Sequence, residues 1–220
     1  CSQVQEQACC VPLLTALVPS PQQVGELIEL HTVRIGEDGG REALLVDGVV
    51  QSISPHDGMR TGGYWAAMVP SVAPEHALIL GLGGGTLARL VHARFGAGVS
   101  IVGVDNDPAV LHLARASGWL PNEGLEVVVA DAFEFVEDCQ ARFEYVAVDL
   151  FRGEEFIGRA LNKPFLRRLR TRLAPRGRLV VNLFSDRRWP SRAARVAELF
   201  EIEQQCNVGG NVVIHARKRR

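Results

Sequence analysis

Three acidic side chains stand at the ends of successive apolar segments, where a carboxylate can bind hydroxyl or amino groups or accept a proton. They are Asp105, Asp131 and Asp149, and each ends or directly follows a run typical of a buried strand. Asn182 lies within a further apolar run. Ligands of open α/β sheets bind at the carboxyl ends of the strands. A partly desolvated carboxylate there, as predicted for Asp149, suits a general base or an amine-binding anion.

A glycine-rich turn precedes these acids. Residues 76–89 form an apolar run that breaks into clustered glycines and then resumes at helical spacing, which predicts a strand, a tight turn and a helix. Glycine permits positive φ and, without a Cβ, lets the backbone approach a ligand closely. Asp105 follows about 20 residues later, the spacing at which an acidic side chain accepts the ribose hydroxyls of a nucleotide. We therefore predict a nucleoside site that includes Gly81, Gly83, Gly84, Gly85 and Asp105.

Two aspartates have a structural alternative as helix caps. Asp107 is followed by Pro108, and this pair is typical of an N-cap and a first helical turn, so we interpret Asp107 as a cap. Asp131 could accept an adenine amino group or cap the helix that starts at Ala132. The two uses of Asp131 are compatible, and both stay open at this point.

The elements that must position these residues alternate regularly after residue 75. Strand patterns alternate with helical ones, which implies βαβ units and a parallel sheet with helices on both faces. A terminal hairpin joined by residues 207–210 adds two strands, with a lone antiparallel edge strand. We predict a Rossmann-like, doubly wound, mostly parallel seven-stranded α/β sheet. Its strands are predicted at 77–82, 99–105, 125–130, 145–150, 178–184, 201–206 and 211–216, and its helices at 87–95, 109–117, 132–139, 161–173 and 191–199.

The domain organisation follows from a change of pattern near residue 72. Segments 27–35 and 41–50 alternate around a glycine turn at 37–40, which predicts a small β-hairpin lid within residues 23–72. Residues 73–220 are predicted to be the nucleoside-binding Rossmann-like domain. Residues 1–22 are expected to be an N-terminal segment that is either disordered or dependent on where the chain is cut. The first residue, Cys1 rather than Met, indicates a trimmed start, with a processed, lipid-bearing Cys1 as the alternative.

Composition narrows the function classes. A net charge of −1 gives no global attraction to nucleic acid or membrane. Arginines crowd residues 167–195, which we interpret as a solvated helix face, with an RNA substrate as the alternative. The five cysteines lack metal-type spacing, so no zinc site or disulfide framework is expected, and Cys139 and Cys206 are predicted to be small buried hydrophobes in a reducing, cytoplasmic setting. No run is long enough to span a bilayer.

A second motif makes the prediction narrower. The glycine turn and the strand-end aspartates together resemble the nucleoside-binding core of class I S-adenosylmethionine-dependent methyltransferases. Residues 44–51, Leu-Leu-Val-Asp-Gly-Val-Val-Gln, resemble the Leu-Asp-Gly-x-x-Gln signature of spermidine synthase and related polyamine aminopropyltransferases. By this resemblance Gln51 would contact the methionine-derived part of the nucleoside, Asp105 the ribose and Asp131, beside Ala132, the adenine. Asp149 would accept the amine proton, and Tyr64 would line the substrate site.

Three departures from that family concern charge. The family carries an aspartate inside the glycine turn that binds the ammonium of decarboxylated S-adenosylmethionine, and residues 83–86 contain none. A second acid after the catalytic aspartate is replaced by Leu150-Phe151-Arg152, and a tyrosine-linked glutamate is absent near Tyr64. Without the first acid, the carboxylate of ordinary S-adenosylmethionine no longer meets a like charge. Glu154, Glu155 or Asp57 could compensate, although ordinary surface charge is the simpler interpretation.

Three functions follow from these features. The first is a spermidine-synthase-like transfer of an aminopropyl group to an amine, and the second is methyl transfer from S-adenosylmethionine to an amine or another nucleophile. The third is a non-catalytic nucleoside-binding homologue. No metal is required, and a homodimer is expected from the family and from apolar residues in the hairpin. An NAD-dependent dehydrogenase fits less well, because Thr86 stands where the G-x-G-x-x-G fingerprint needs its last glycine.

Overall fold

The computed structural model describes residues 32–54 and 63–219, and the segment predicted for residues 1–22 lies outside them. The first described unit is a three-stranded antiparallel sheet made of β1 (Val33–Asp38), β2 (Arg41–Val46) and β3 (Val49–Ile53). The predicted turn between β1 and β2 is confirmed. The prediction of one strand over 41–50 is wrong, because Asp47 and Gly48 both adopt positive φ, 50° and 83°, and turn the chain into a second hairpin.

The second sheet has seven strands and is mostly parallel, as predicted. Its order is β11-β12-β10-β7-β4-β5-β6, so that β7 lies at its centre with β4 beside it. The strands are β4 (His76–Leu80), β5 (Ser100–Asp105), β6 (Leu125–Val129), β7 (Phe143–Val148), β10 (Leu173–Phe184), β11 (Phe200–Val208) and β12 (Asn211–Lys218). A small ribbon, β8 (Phe151–Arg152) with β9 (Glu155–Phe156), follows β7.

The terminal hairpin is present, but its place in the sheet differs from the prediction. The antiparallel strand is β12, which pairs antiparallel with both β10 and β11. It therefore lies one position inside the edge, and β11 is the edge strand. This arrangement brings Asn211, the first residue of β12, opposite Phe184 at the carboxyl end of β10.

Helices cover both faces of the large sheet, as predicted for a doubly wound fold. One core cluster joins the sheet to the apolar sides of α4, α5 and α6, and the other joins it to α1, α2 and α3. The helices are α1 (Tyr64–Met68), α2 (Thr86–Phe95), α3 (Pro108–Ala116), α4 (Ala132–Asp138), α5 (Lys163–Arg172) and α6 (Trp189–Ala197), and a 3-10 helix spans Gly158–Leu161. None of the helices in the described ranges is long and apolar enough to cross a membrane.

The three-stranded sheet packs onto the same face as α1, α2 and α3. Leu44 of β2 and Ile53 of β3 are buried in one cluster with Leu82 of the glycine turn and Trp119. Val33, Ile35, Val46 and Val50 are half-buried against that cluster. The apolar side chains of the three-stranded sheet thus pack against the core cluster on this face of the large sheet. Their burial fixes β3 directly over the glycine turn.

Several arginines of residues 167–195 contact other parts of the protein. Arg172 is buried and donates to the carbonyl of Val136 at 3.2 Å. Arg168, Arg178 and Arg192 form ion pairs with neighbouring carboxylates. Cys139 and Cys206 are free thiols and only half-buried, each packed against one of the two core clusters.

Candidate active site

The glycine turn between β4 and α2 needs glycine for two reasons. Gly81, Gly83 and Gly85 have φ of 87°, 53° and 84°, a region that side chains with a Cβ disfavour. At Gly81 a Cβ would also lie 2.1 Å from the backbone oxygen of Asp149. The turn therefore brings the end of β4 and the end of β7 into contact, and only glycine allows that approach.

The amides of this turn donate to protein acceptors. The N–H groups of Gly81 and Leu82 donate to the carbonyl of Val104, and that of Gly85 to Leu82. Gly83 donates to Asp105 Oδ2 at 2.7 Å. The turn thus offers a ligand a surface without Cβ atoms, held rigidly by internal hydrogen bonds.

Two hydroxyl side chains that the sequence analysis missed join β3 to the turn. Ser52 Oγ accepts the N–H of Gly84 at 2.6 Å and donates to the carbonyl of Gln51 at 2.6 Å. Thr86 Oγ1 accepts the N–H of Ile53 at 3.1 Å. The bonds from Ser52 to Gly84 and from Thr86 to Ile53 join residues more than thirty positions apart in the chain, so no local pattern could reveal them. The bonds place Gln51 beside the turn, where its carbonyl lies 3.2 Å from the position of a Gly83 Cβ.

Asp105 ends β5 with its carboxylate against the glycine turn. Besides the bond from Gly83, its Oδ1 accepts the N–H of Asp107 at 3.0 Å. Burial raises the pKa of Asp105, although these two backbone donors act in the opposite direction. The sequence placed Asp105 at a strand end, and the structure brings it to the turn as that prediction requires.

Asp149 follows β7 and is the second carboxylate at this edge. Its Oδ1 accepts the side-chain amide of Asn182 at 2.8 Å, and the hydroxyl of Tyr64 also donates to it. Burial raises the pKa of Asp149 to about 6, the two donors lower it, and the charge of Asp105 raises it. Tyr64 lies on α1, so the structure brings three separate elements together at one carboxylate.

Asp131 and Asp107 lie at the starts of helices and act as N-caps. Asp131 Oδ1 accepts the N–H groups of Phe133 and Glu134, and caps α4, which begins at Ala132. Asp107 caps α3 through Ala109 and Val110. The capping interpretation is confirmed for both residues. An additional contact of Asp131 and Ala132 with a nucleoside stays a prediction.

Asn182 has a partner that the sequence analysis did not find. Asn182 is 1% exposed, and its Oδ1 accepts the side-chain amide of Asn211 at 3.0 Å. Asn211 also lies in the buried interior. The two amides and Asp149 form a continuous hydrogen-bonded row from the terminal hairpin to the edge of the sheet.

The combined charge of this edge favours a cationic ligand. The charge of Asp105 raises the pKa of Asp149, and burial raises the pKa of both carboxyls. A positive group between them would offset both the repulsion and the desolvation. Glu154 and Glu155 are exposed on the β8–β9 ribbon. Within residues 32–54 and 63–219, no group of three or more acidic, histidine or cysteine side chains is placed to hold a metal ion.

Comparison with known proteins agrees with this architecture. No protein-family model matches the chain. Over 149 residues it is 35% identical to a polyamine aminopropyltransferase of Chromobacterium violaceum, a match that covers 65% of this chain and 57% of that relative. The chain thus spans little more than half the length of this relative.

Solved structures define the fold. A spermidine synthase from Thermotoga maritima superimposes with a TM-score of 0.67 at 17% identity, covering 87% of this chain and 70% of that one. Human methyltransferase-like protein 13 in complex with SAH superimposes with a TM-score of 0.59 at 20% identity, covering 70% and 76%. These likenesses show that the chain has the class I methyltransferase fold, which both proteins share.

Proposed function

We propose that the protein is a transferase that binds an S-adenosylmethionine-type nucleoside at the carboxyl edge of its large sheet and transfers the aminopropyl group to an amine. The observation that carries this proposal is the Asp149 carboxylate, which is held by Tyr64 and Asn182 beside Asp105. Its pKa of about 6 leaves it mostly ionised near neutral pH and still able to take a proton. The similarity to polyamine aminopropyltransferases supports the same reaction.

Each residue has a part in this proposal that suits its position. Asp105 accepts the ribose hydroxyls, and Gln51, beside Gly83, contacts the part of the nucleoside that derives from methionine. Asp131 accepts the adenine amino group with the oxygen lone pairs that capping leaves over. Tyr64 lines the acceptor side through its bond to Asp149. The decarboxylated nucleoside is fully cationic at its reactive end, which matches the two carboxylates.

The reaction is an in-line displacement at the carbon next to the sulfonium. The amine nitrogen forms a bond to that carbon, the carbon–sulfur bond breaks, and the electron pair leaves with sulfur as a neutral thioether. The nitrogen loses one proton, which Asp149 accepts. Because the sulfonium is already a good leaving group, the protein has to orient the two substrates and deprotonate the amine.

Product identification tests this proposal directly. The protein is incubated with decarboxylated S-adenosylmethionine and a panel of mono- and diamines, and mass spectrometry then looks for the aminopropylated amine and methylthioadenosine. We expect both products from the wild type and from Asp138→Asn, a matched charge change at an exposed residue, but neither from Asp149→Asn. Failure of the wild type to form methylthioadenosine with any amine would refute aminopropyl transfer.

A second candidate function, methyl transfer, is favoured by one specific observation. The glycine turn, residues 81–86, contains no carboxylate to bind the ammonium of the decarboxylated nucleoside or to repel the carboxylate of ordinary S-adenosylmethionine. Calorimetric titration with each nucleoside separates the two functions. Tighter binding of the decarboxylated form supports aminopropyl transfer, and tighter binding of S-adenosylmethionine, with S-adenosylhomocysteine as product, supports methyl transfer.

We also infer a reducing, cytoplasmic setting and a homodimer. Cys139 and Cys206 are unpaired in the described part of the chain, which fits a reducing compartment.

The proposal of a homodimer rests on the similarity to the aminopropyltransferases alone. Light scattering on the purified protein measures it, and a monomer at micromolar concentration would contradict it.

A further inference from the structure

The row of buried amides behind Asp149 is not explained by packing. Residues 179–184 of β10 are Leu-Val-Val-Asn-Leu-Phe, and Asn182 is their only polar member. A buried amide lowers stability unless its hydrogen bonds are satisfied, and a leucine or valine would fill the same strand position without that demand. The chain nevertheless buries two such amides in contact, Asn182 and Asn211.

The direction of the hydrogen bonds in this row is determined from both ends. An ionised carboxylate only accepts, so Asn182 must turn its amide nitrogen towards Asp149 Oδ1, 2.8 Å away. Its carbonyl oxygen then faces Asn211, which donates an N–H across 3.0 Å. If Asn211 could not donate, the carbonyl oxygen of Asn182 would be buried without this partner, and the amide would be held less firmly against the carboxylate.

We propose that Asn182, held in orientation by Asn211, is a positioning residue that fixes the plane of the Asp149 carboxylate and keeps it ionised. This inference rests on the proposed function of Asp149 as the base. It assigns a use to Asn211, which lies on the terminal hairpin and belongs to no motif in the sequence.

The expected effect has a definite sign. A hydrogen bond to the charged form of an acid lowers its pKa. Loss of the Asn182 donor therefore raises the pKa of Asp149 above its value of about 6. Loss of one hydrogen bond to a charged carboxylate is expected to raise the pKa of that carboxyl by about one or more.

Carbon-13 NMR of protein labelled at the aspartate carboxyl carbons measures this effect without any substrate. The Asp149 resonance is assigned as the one that disappears in Asp149→Asn. Asn182→Leu removes the donor, and Asn211→Asp keeps the shape but replaces an N–H donor by an acceptor. We expect the midpoint of the Asp149 titration to rise by about one pH unit in both variants. The acid limb of the pH profile of the transfer rate should move with this midpoint.

The matched control is Asn207→Asp, the same chemical change at an exposed position of the same hairpin. It is expected to leave the midpoint in place. Asn211→Ala removes the donor without adding charge and must also raise the midpoint, which covers the case that Asn211→Asp does not fold. An unchanged midpoint in folded Asn182→Leu, or in folded Asn211→Ala, would overturn the inference.

Failure of the proposed function has a different signature. If the midpoint rises in the amide variants but the wild type transfers no group to any amine, the positioning of Asp149 stands and the aminopropyl assignment falls. If transfer occurs and the midpoint does not move, the reverse holds. A merely structural use of the two amides would lower the melting temperature without moving either the midpoint or the acid limb.

Discussion

Four aspartates stand at the carboxyl edge of the large sheet, and the fold uses them in two ways. Asp107 and Asp131 lie at the first turns of α3 and α4, and each satisfies two backbone N–H groups of its helix. Asp105 and Asp149 lie at strand ends in partly desolvated surroundings, where burial raises the pKa of both and the charge of Asp105 raises that of Asp149 further.

The difference between the two pairs of aspartates is one of stability: the caps stabilise the fold, and the buried strand-end carboxylates destabilise it. A capping aspartate stabilises its helix in the absence of any ligand. Two nearby carboxylates with raised pKa values lower the stability of the unliganded protein at neutral pH, because both would bind protons more readily than in the unfolded chain. Perturbed carboxylates of this kind are typical of sites that bind or transform a ligand.

Replacement of Asp149 should have the largest effect on turnover and should distinguish the strand-end aspartates from the capping ones most clearly. Asp149→Asn keeps the shape but cannot accept the proton, and we expect turnover to fall by roughly two to four orders of magnitude with little change in nucleoside affinity. Single-turnover rates and calorimetry on the same preparation measure both quantities. Normal turnover with a large drop in melting temperature would place Asp149 among the structural aspartates.

The pH dependence of stability gives an independent check on the same residue. The Asp149 carboxyl has a pKa of about 6 in the folded protein against an ordinary value of 3.8, so the folded state holds the proton more tightly. The free energy of unfolding should therefore fall as the pH rises through this interval, by up to about 3 kcal/mol. Asp149→Asn should lack this decrease. Denaturant titrations of both proteins at several pH values make the comparison.

Asp105→Asn should have the next largest effect. In the proposed function the charge of Asp105 strengthens hydrogen bonds to two ribose hydroxyls, so its removal should lower nucleoside affinity at least ~100-fold. Asp107→Asn is the matched control, because it neutralises an acid two residues away and asparagine remains a good N-cap. Equal losses of affinity in the two variants would show that net charge at this edge, rather than Asp105 itself, binds the ligand.

Substitution in the glycine turn should have a smaller effect on nucleoside affinity. It separates the cost of backbone strain from the loss of contact with the ligand. Gly83 and Gly209 have nearly the same φ, 53° and 52°. A Cβ at Gly83 would lie 3.0 Å from Ser52 Oγ, whereas at Gly209 it would meet nothing within 4 Å. Alanine should cost each position about 1 kcal/mol of stability. Only Gly83→Ala should also weaken nucleoside binding, by about tenfold. Similar affinities in both variants would reduce the turn to a purely structural element.

The strand-end acids could be predicted because their signals are local. Apolar runs that end in a carboxylate, and a glycine cluster about 20 residues before one of them, indicate an α/β edge without any tertiary information. The cap at Asp107 is equally local, because its partners lie within the next turn of helix. The Asp47-Gly48 pair is also a local turn signal, although it lies inside the segment predicted as one strand over 41–50.

The partners of these acids could not be predicted, because they come from distant parts of the chain. Ser52 reaches Gly84, and Asn211 reaches Asn182, across 32 and 29 residues. The position of β12 inside the edge, which decides where Asn211 lies, depends on how a hairpin docks on the sheet. Hydrophobic alternation is the same for either order of its two strands.

The smallest predicted effects belong to the capping aspartates, and they complete the comparison. Asp107→Ala and Asp131→Ala each remove an acceptor for two N–H groups at a helix start, and each should lower the free energy of unfolding by about 1 kcal/mol. Asp107→Ala should leave nucleoside affinity unchanged. Asp131→Ala distinguishes the two uses of that residue, because a loss of affinity beyond that of Asp107→Ala would mean that Asp131 also contacts the adenine. Unfolding curves and calorimetry on this pair decide it, and equal affinities would leave Asp131 as a cap alone.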